Sequence, residues 1–237
     1  MTLMVMAQYT LPFKQFPDFS PENFIISPVN QEAYGVVTEW PDWPVRYVLV
    51  TGPKKSGKTH LTYIFQMLSD AVRLPIERLD IIQPHLKEEF TGVQAFVLED
   101  IESATSEEAL LHFLNYVHTE QKYLLMTSSC SPIEMNMTLP DLRSRLSAAH
   151  TAIIRQPDEQ LAEALLVKLM SDKQLQVSSD VLAYLLPRIQ REYVFLHTFV
   201  EALDSIAMQS QKAVTIPLVR NVLKRLAEEK KLKISLD

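Results

Sequence analysis

Arg46-Tyr47-Val48-Leu49-Val50-Thr51, running into Gly52-Pro53-Lys54-Lys55-Ser56-Gly57-Lys58-Thr59, is the stretch that decides the fold. The first six residues read as a short buried strand. The octapeptide satisfies the G-x-x-x-x-G-K-[ST] pattern, and Leu61, Ile64, Phe65 and Leu68 recur behind it at helical spacing. A strand feeding a glycine loop that opens a helix aims backbone N–H groups and the positive end of the helix dipole at one spot, where a phosphate is stabilised. Lys58 is then set to reach the β and γ phosphates, and Thr59 to hold Mg²⁺. Glycine usage sharpens the reading: of the chain's 4 glycines, Gly35, Gly52, Gly57 and Gly92, two fall in this octapeptide.

A phosphate loop of this kind needs an acidic strand to work with. Gln94-Ala95-Phe96-Val97-Leu98 ends in Glu99-Asp100, which delivers two carboxylates to the carboxyl end of a strand, where α/β sheets bind ligands. One carboxylate would bind Mg²⁺ and the other would orient water. Strand-like runs at Tyr47 to Val50, Leu79 to Ile82, Phe96 to Leu98, Tyr123 to Met126 and Ala152 to Ile154 alternate with helical patterns, which predicts a parallel sheet covered on both faces. Thr105-Ser106-Glu107-Glu108 reads as a capping box for a helix that places Leu110, Leu111, Leu114 and Val117 on one face. After Pro157 helical periodicity alone remains. The expected architecture is α/β: an αβα nucleotide-binding domain over residues 16–156 and an all-helical domain over 157–237.

The composition bounds the function classes. At 237 residues, 47% hydrophobic and 22% charged, the chain has the make-up of a globular protein with a full core. A net charge of −6 gives no broad attraction to phosphate polymers or anionic lipids, so direct contact with DNA is expected to be weak or indirect. The basic residues of the last helix, Arg220, Lys224, Arg225, Lys230, Lys231 and Lys233, read as a solvated face near a helix C-terminus. The single cysteine, Cys130, has no disulfide partner, and the histidines show no zinc-ligand spacing. The start of the chain lacks a basic region ahead of an apolar one, and no apolar run nears the ~20 residues that span a bilayer. A cytoplasmic protein without a membrane contact is expected.

Several strings, in order, resemble the DnaA replication-initiator branch of the AAA+ proteins. They are Phe24-Ile25-Ile26-Ser27-Pro28 through Asn30 and Tyr34, Gly57-Lys58-Thr59-His60-Leu61, Leu98-Glu99-Asp100-Ile101, Thr127-Ser128-Ser129, and Leu139 to Arg145. The resemblance covers roughly Phe16 to Leu226 and implies an AAA+ P-loop domain followed by a small helical lid. It implies that Ile25, Ile26, Gly52, Ser56, Gly57, Lys58, Thr59 and His60 bind ADP or ATP. It further implies Glu99, Asp100 and Ser129 as catalytic positions, with Ser129 as sensor 1 and Glu99 where the Mg²⁺-binding aspartate usually stands. Arg145 matches an arginine finger presented to a neighbouring subunit's nucleotide. The sensor 2 arginine position falls on Val194, so weak self-catalysed ATP hydrolysis at most is expected.

Too few residues follow Thr215 to form the initiators' DNA-reading domain. Residues 1–15 instead carry Gln8-Tyr9-Thr10-Leu11-Pro12-Phe13, similar to the peptide that docks on the DNA polymerase sliding clamp (the beta subunit) through Gln8, Leu11 and Phe13. Clamp peptide plus AAA+ core is the layout of the Hda subgroup. That resemblance implies a regulator that binds the clamp and DnaA and promotes hydrolysis of DnaA-bound ATP, preventing re-initiation, with homo-oligomerisation left open. Two alternatives remain: an autonomous ATPase of the clamp-loader or helicase-loader kind, and an adaptor that holds partners without nucleotide.

Overall fold

Side-chain alternation along the strands sets the layers. In the computed structural model, which describes residues 19–82, 85–210 and 213–234, five parallel strands form one sheet. They are β1 (Tyr47–Thr51), β2 (Val72–Leu74), β3 (Ala95–Leu98), β4 (Tyr123–Ser128) and β5 (His150–Ile153), in the order β2-β3-β4-β1-β5. Tyr47, Leu49, Phe96, Leu98, Leu124 and Met126 point to one face. Val48, Val50, Ala95, Val97 and Leu125 point to the other. Both faces are apolar and covered, the condition under which a parallel sheet is stable.

The second face is covered by α1 (Gln31–Thr38) and α2 (Lys58–Ser69), with Trp43 stacked on Phe65 at 5.0 Å. The first face takes α3 (Leu79–Ile82), α4 (Leu86–Glu89), α5 (Glu107–Thr119) and α6 (Pro140–Ser147). Glu107 ties the last two together: its carboxylate accepts from the N–H groups of Thr138 and Leu139 at the start of α6. Four helices follow, α7 (Glu159–Asp172), α8 (Ser179–Leu185), α9 (Tyr193–Ser210) and α10 (Ile216–Ile234), packed around Leu166, Leu185, Leu196, Phe199 and Leu203. Tyr193 opens α9 yet packs into the sheet's second face, and its hydroxyl donates to the Arg155 carbonyl at 3.1 Å.

Two local expectations are corrected. Leu79 to Ile82 is helix α3 rather than a strand. A chain turning after Pro75 buries Leu79 and Ile82 three residues apart and leaves Ile81 68% exposed, a helical pattern that an apolar run of four conceals. The strand is the shorter Val72-Arg73-Leu74, paired with Phe96-Val97-Leu98. The expected capping box is also replaced by a simple N-cap one residue on: Ser106, not Thr105, is the N-cap, accepting from the N–H of Ala109, which stands at N3.

Candidate functional site

Backbone geometry builds the loop after β1. Gly52 leaves the strand against Ile154, so close that a Cβ would lie 2.8 Å from the Ile154 Cβ and 2.9 Å from its carbonyl oxygen. Its N–H donates to the Ser128 carbonyl, which fixes the loop to β4. Gly57, at φ 98°, ends the loop and caps α2, with the Phe24 ring against it. Lys58 is buried, its ammonium donating to the Gly52 carbonyl at 2.8 Å and the Pro53 carbonyl at 3.1 Å. Burial lowers its pKa, while Asp100, Glu102 and Glu99, in that order, push it back up. The Ser56 hydroxyl is buried without a hydrogen-bond partner. A buried lysine, an unpaired buried hydroxyl and the free N–H groups of a helix start fit a phosphate group.

The segment before α1 lies over this loop. Asn30 shapes it, donating from Nδ2 to the Ile25 carbonyl and accepting the Ser27 N–H on Oδ1. Ile25 is thereby half-buried and Ile26 51% exposed. His60 bonds through Nε2 to the Ser20 carbonyl and packs edge-on between Phe19 and Phe24.

At the end of β3 the structure separates carboxylates that the sequence groups. Glu99 accepts from Thr62 Oγ1 at 3.0 Å on one oxygen and pairs with Arg73 on the other. With a partner already on each oxygen, Glu99 would have to share or exchange one to serve as the expected Mg²⁺ ligand beside Thr59, which is itself exposed. Asp100 turns at φ 50°, held by its N–H donating to Thr127 Oγ1 at 3.1 Å. Burial, reinforced by Glu102, pushes the Asp100 carboxyl up. Ser129, at the end of β4, stands beside Glu102 and donates to it from both hydroxyl and N–H. Burial works to raise the Glu102 carboxyl, but the Ser129 bonds outweigh it and hold the group below the usual range. Glu102 and Arg73 were missed by sequence reasoning. The spacing Glu99-Asp100-x-Glu102 signals the first, whereas nothing local signals an arginine 26 residues upstream.

Arg145 lies far from this cluster. It is half-exposed on α6, and its charge acts on the Tyr47 hydroxyl, which burial pushes up to about 12. Tyr47 begins β1 and the loop leaves the other end, roughly 13 Å away at ~3.3 Å per residue. Among the described residues no carboxylate pairs with Arg145. Val194, at the sensor 2 position, is 48% exposed in the first turn of α9. Arg191, three residues earlier, is committed to Glu159 at 2.9 Å. His197, on the same helix, is half-buried within reach of the Lys55 charge; burial first, then Lys55, lowers its pKa. Gln8, Leu11 and Phe13 lie outside the described residues. No helix among the described residues is long and apolar enough to cross a membrane.

Comparison with known proteins agrees with this geometry. Residues 158–223 match the family model described as the lid domain of Hda. The chain is 25% identical to an uncharacterised protein of Haemophilus influenzae, over 91% of this chain and 98% of that one. It is 27% identical to the chromosomal replication initiator protein DnaA of Cutibacterium acnes, over 90% of this chain and 47% of that protein. The chain thus spans about half the length of the curated initiators it matches. The fold is that of domain III of the Thermotoga maritima initiator DnaA, with TM-score 0.71 and 22% identity over 89% of this chain and 97% of that one. AMPPCP-bound DnaA from Aquifex aeolicus superposes with TM-score 0.68 at 19% identity, over 92% of this chain and 72% of that chain.

Proposed function

Because the chain belongs to the DnaA-like AAA+ family and carries a lid of the Hda type, we propose that it regulates chromosomal replication initiation. In this reading it binds adenine nucleotide in its own P-loop and promotes hydrolysis of the ATP held by DnaA, which prevents re-initiation. The observation that carries the reading is the placement of Arg145. Its charge acts on Tyr47 at the end of β1 opposite the loop, which favours a nucleotide on another molecule over the chain's own. It is half-exposed and unpaired by any described carboxylate, so its guanidinium is available to a phosphate on another molecule. A planar guanidinium offers a fork of donors to the charge that develops on a γ phosphate during transfer, and fingers of this kind accelerate hydrolysis by about 10³ to 10⁵.

The chain's own phosphate site supports a binding role over an autonomous motor. Val194 supplies no cation where sensor 2 would stand, and Arg191 is held by Glu159. Gln8, Leu11 and Phe13 would tether the protein to the sliding clamp, with Leu11 and Phe13 as apolar anchors and the Gln8 amide orienting them.

The test is reconstitution with DNA-loaded clamp and ATP-charged DnaA, following hydrolysis with and without this protein. The wild type should accelerate hydrolysis. Arg145→Ala should keep its melting temperature and its ADP binding and lose that acceleration by about 10³ or more. Full stimulation by folded Arg145→Ala would overturn the reading.

A further inference from the structure

Three carboxylates leave β3 within four residues, and they face different ways. Asp100 and Glu102 act most strongly on the Lys58 ammonium, with Glu99 third. Glu99 is drawn along α2 to Thr62, one turn beyond Thr59 and about 4.5 Å further along the helix axis at 1.5 Å per residue. Its second oxygen is taken by Arg73 from the middle of β2.

Arg73 is itself built in from several sides. Its Nη2 donates to Thr62 Oγ1 at 2.8 Å and to Gln66 Oε1 at 2.9 Å, and its Nε donates to the same Gln66 oxygen at 3.1 Å. The guanidinium lies 4.3 Å over the Tyr63 ring, which stacks on Phe19 at 4.2 Å. Three α2 side chains, Thr62, Tyr63 and Gln66, therefore hold one permanent positive charge against the carboxylate at the Mg²⁺ position. A divalent cation beside Thr59 would have to compete with Arg73 for Glu99, in a pair whose two side chains are 24% and 25% exposed. Removing one member of such a pair leaves the other charge partly desolvated and uncompensated.

We infer that Arg73 is a positioning residue that withholds Glu99 from the phosphate site, so that this P-loop takes its nucleotide without requiring Mg²⁺. The inference rests on the reading that the loop binds adenine nucleotide. The charge on the phosphates is met instead by Lys58, the Ser56 hydroxyl and the loop N–H groups.

Calorimetry of ADP binding to the full chain, in magnesium and in EDTA, tests this directly. Wild-type affinities should agree within about twofold between the two buffers. Arg73→Met removes the charge and keeps much of the length; freed Glu99 should then make binding at least about fivefold tighter in magnesium than in EDTA. Adding Glu99→Gln to that variant should abolish the difference, a pattern that mere loss of packing does not produce. Wild-type binding that falls tenfold or more in EDTA would overturn the inference alone, as would Arg73→Met that stays indifferent to magnesium. Absence of ADP binding in both buffers would overturn the nucleotide reading and this inference with it. The wild-type comparison needs no variant, so it decides even where Arg73→Met does not fold.

Discussion

Gly52 leaves β1 so close to Ile154 that no side chain fits, whereas Glu99 leaves β3 into the grip of Arg73 and Thr62. The two strand ends are separated by β4 alone and serve one site, yet the first is shaped by backbone and the second by side chains. Backbone shaping depends on residues adjacent in sequence, a glycine that approaches and a glycine that turns, and leaves few alternatives. Side-chain shaping depends on partners tens of residues away and can redirect a carboxylate by a helical turn without disturbing the strand that bears it. In the proposed reading the loop is consequently a general phosphate cradle, and the β3 end is where distant side chains set this chain apart.

Substitutions can break or sharpen that contrast. The largest effect is expected at Lys58, the buried ammonium bonded to the Gly52 and Pro53 carbonyls of the loop. Lys58→Ala should weaken ADP binding about a hundredfold or more and abolish the rise in melting temperature that ADP gives the wild type. Undiminished stabilisation by ADP would mean the loop is not the site, and would favour an adaptor without nucleotide. Next comes Gly52→Ala. Its Cβ would meet both the side chain and the backbone of Ile154, neither of which is a flexible tip, so urea unfolding should show a loss of roughly 1–3 kcal/mol. A neutral result would show that the loop tolerates shifts like the side-chain end does.

The smallest effect is expected at Glu102. Its pKa in the folded chain is depressed, so the stability it contributes is present above the ordinary carboxylate range and is lost as pH falls through the depressed value. Wild type should exceed Glu102→Gln by less than about 1 kcal/mol near neutrality, solvent screening included, and the gap should close on acidification. A gap that is flat from about pH 7 to about pH 3 would remove the Ser129 bonds as its cause.

How legible each part was follows from the same contrast. The strand, loop and helix around Gly52 to Thr59 could be read from spacing because their residue pattern is contiguous, although the contacts of Gly52 with Ile154 and Ser128 and of Gly57 with Phe24 are not local. So could the covered sheet, because short apolar runs alternate with helical patterns along the chain. The strand Val72-Arg73-Leu74 was hidden by its shortness and by its central arginine, while Leu79 to Ile82 looked strand-like because a single turn of helix shows no periodicity. Glu99 was legible as a carboxylate at a strand end, but its pairing with Thr62 and Arg73 was not. Its partners Thr62 and Arg73 lie 37 and 26 residues upstream, beyond any local pattern. That the Lys55 charge acts on His197 required the fold.

Strand order adds a kinetic dimension. β1 is bonded along both edges, to β4 and β5, so exposing its amides to solvent means taking the centre of the sheet apart. β2 has three residues and bonds on one side only, to β3, at the margin where sheets fray first. Arg73 is its middle residue. The loop is therefore moored to the centre of the sheet, while the residue that holds Glu99 stands on a short edge strand, so hydrogen exchange should be slower for the amides of β1 than for those of β2.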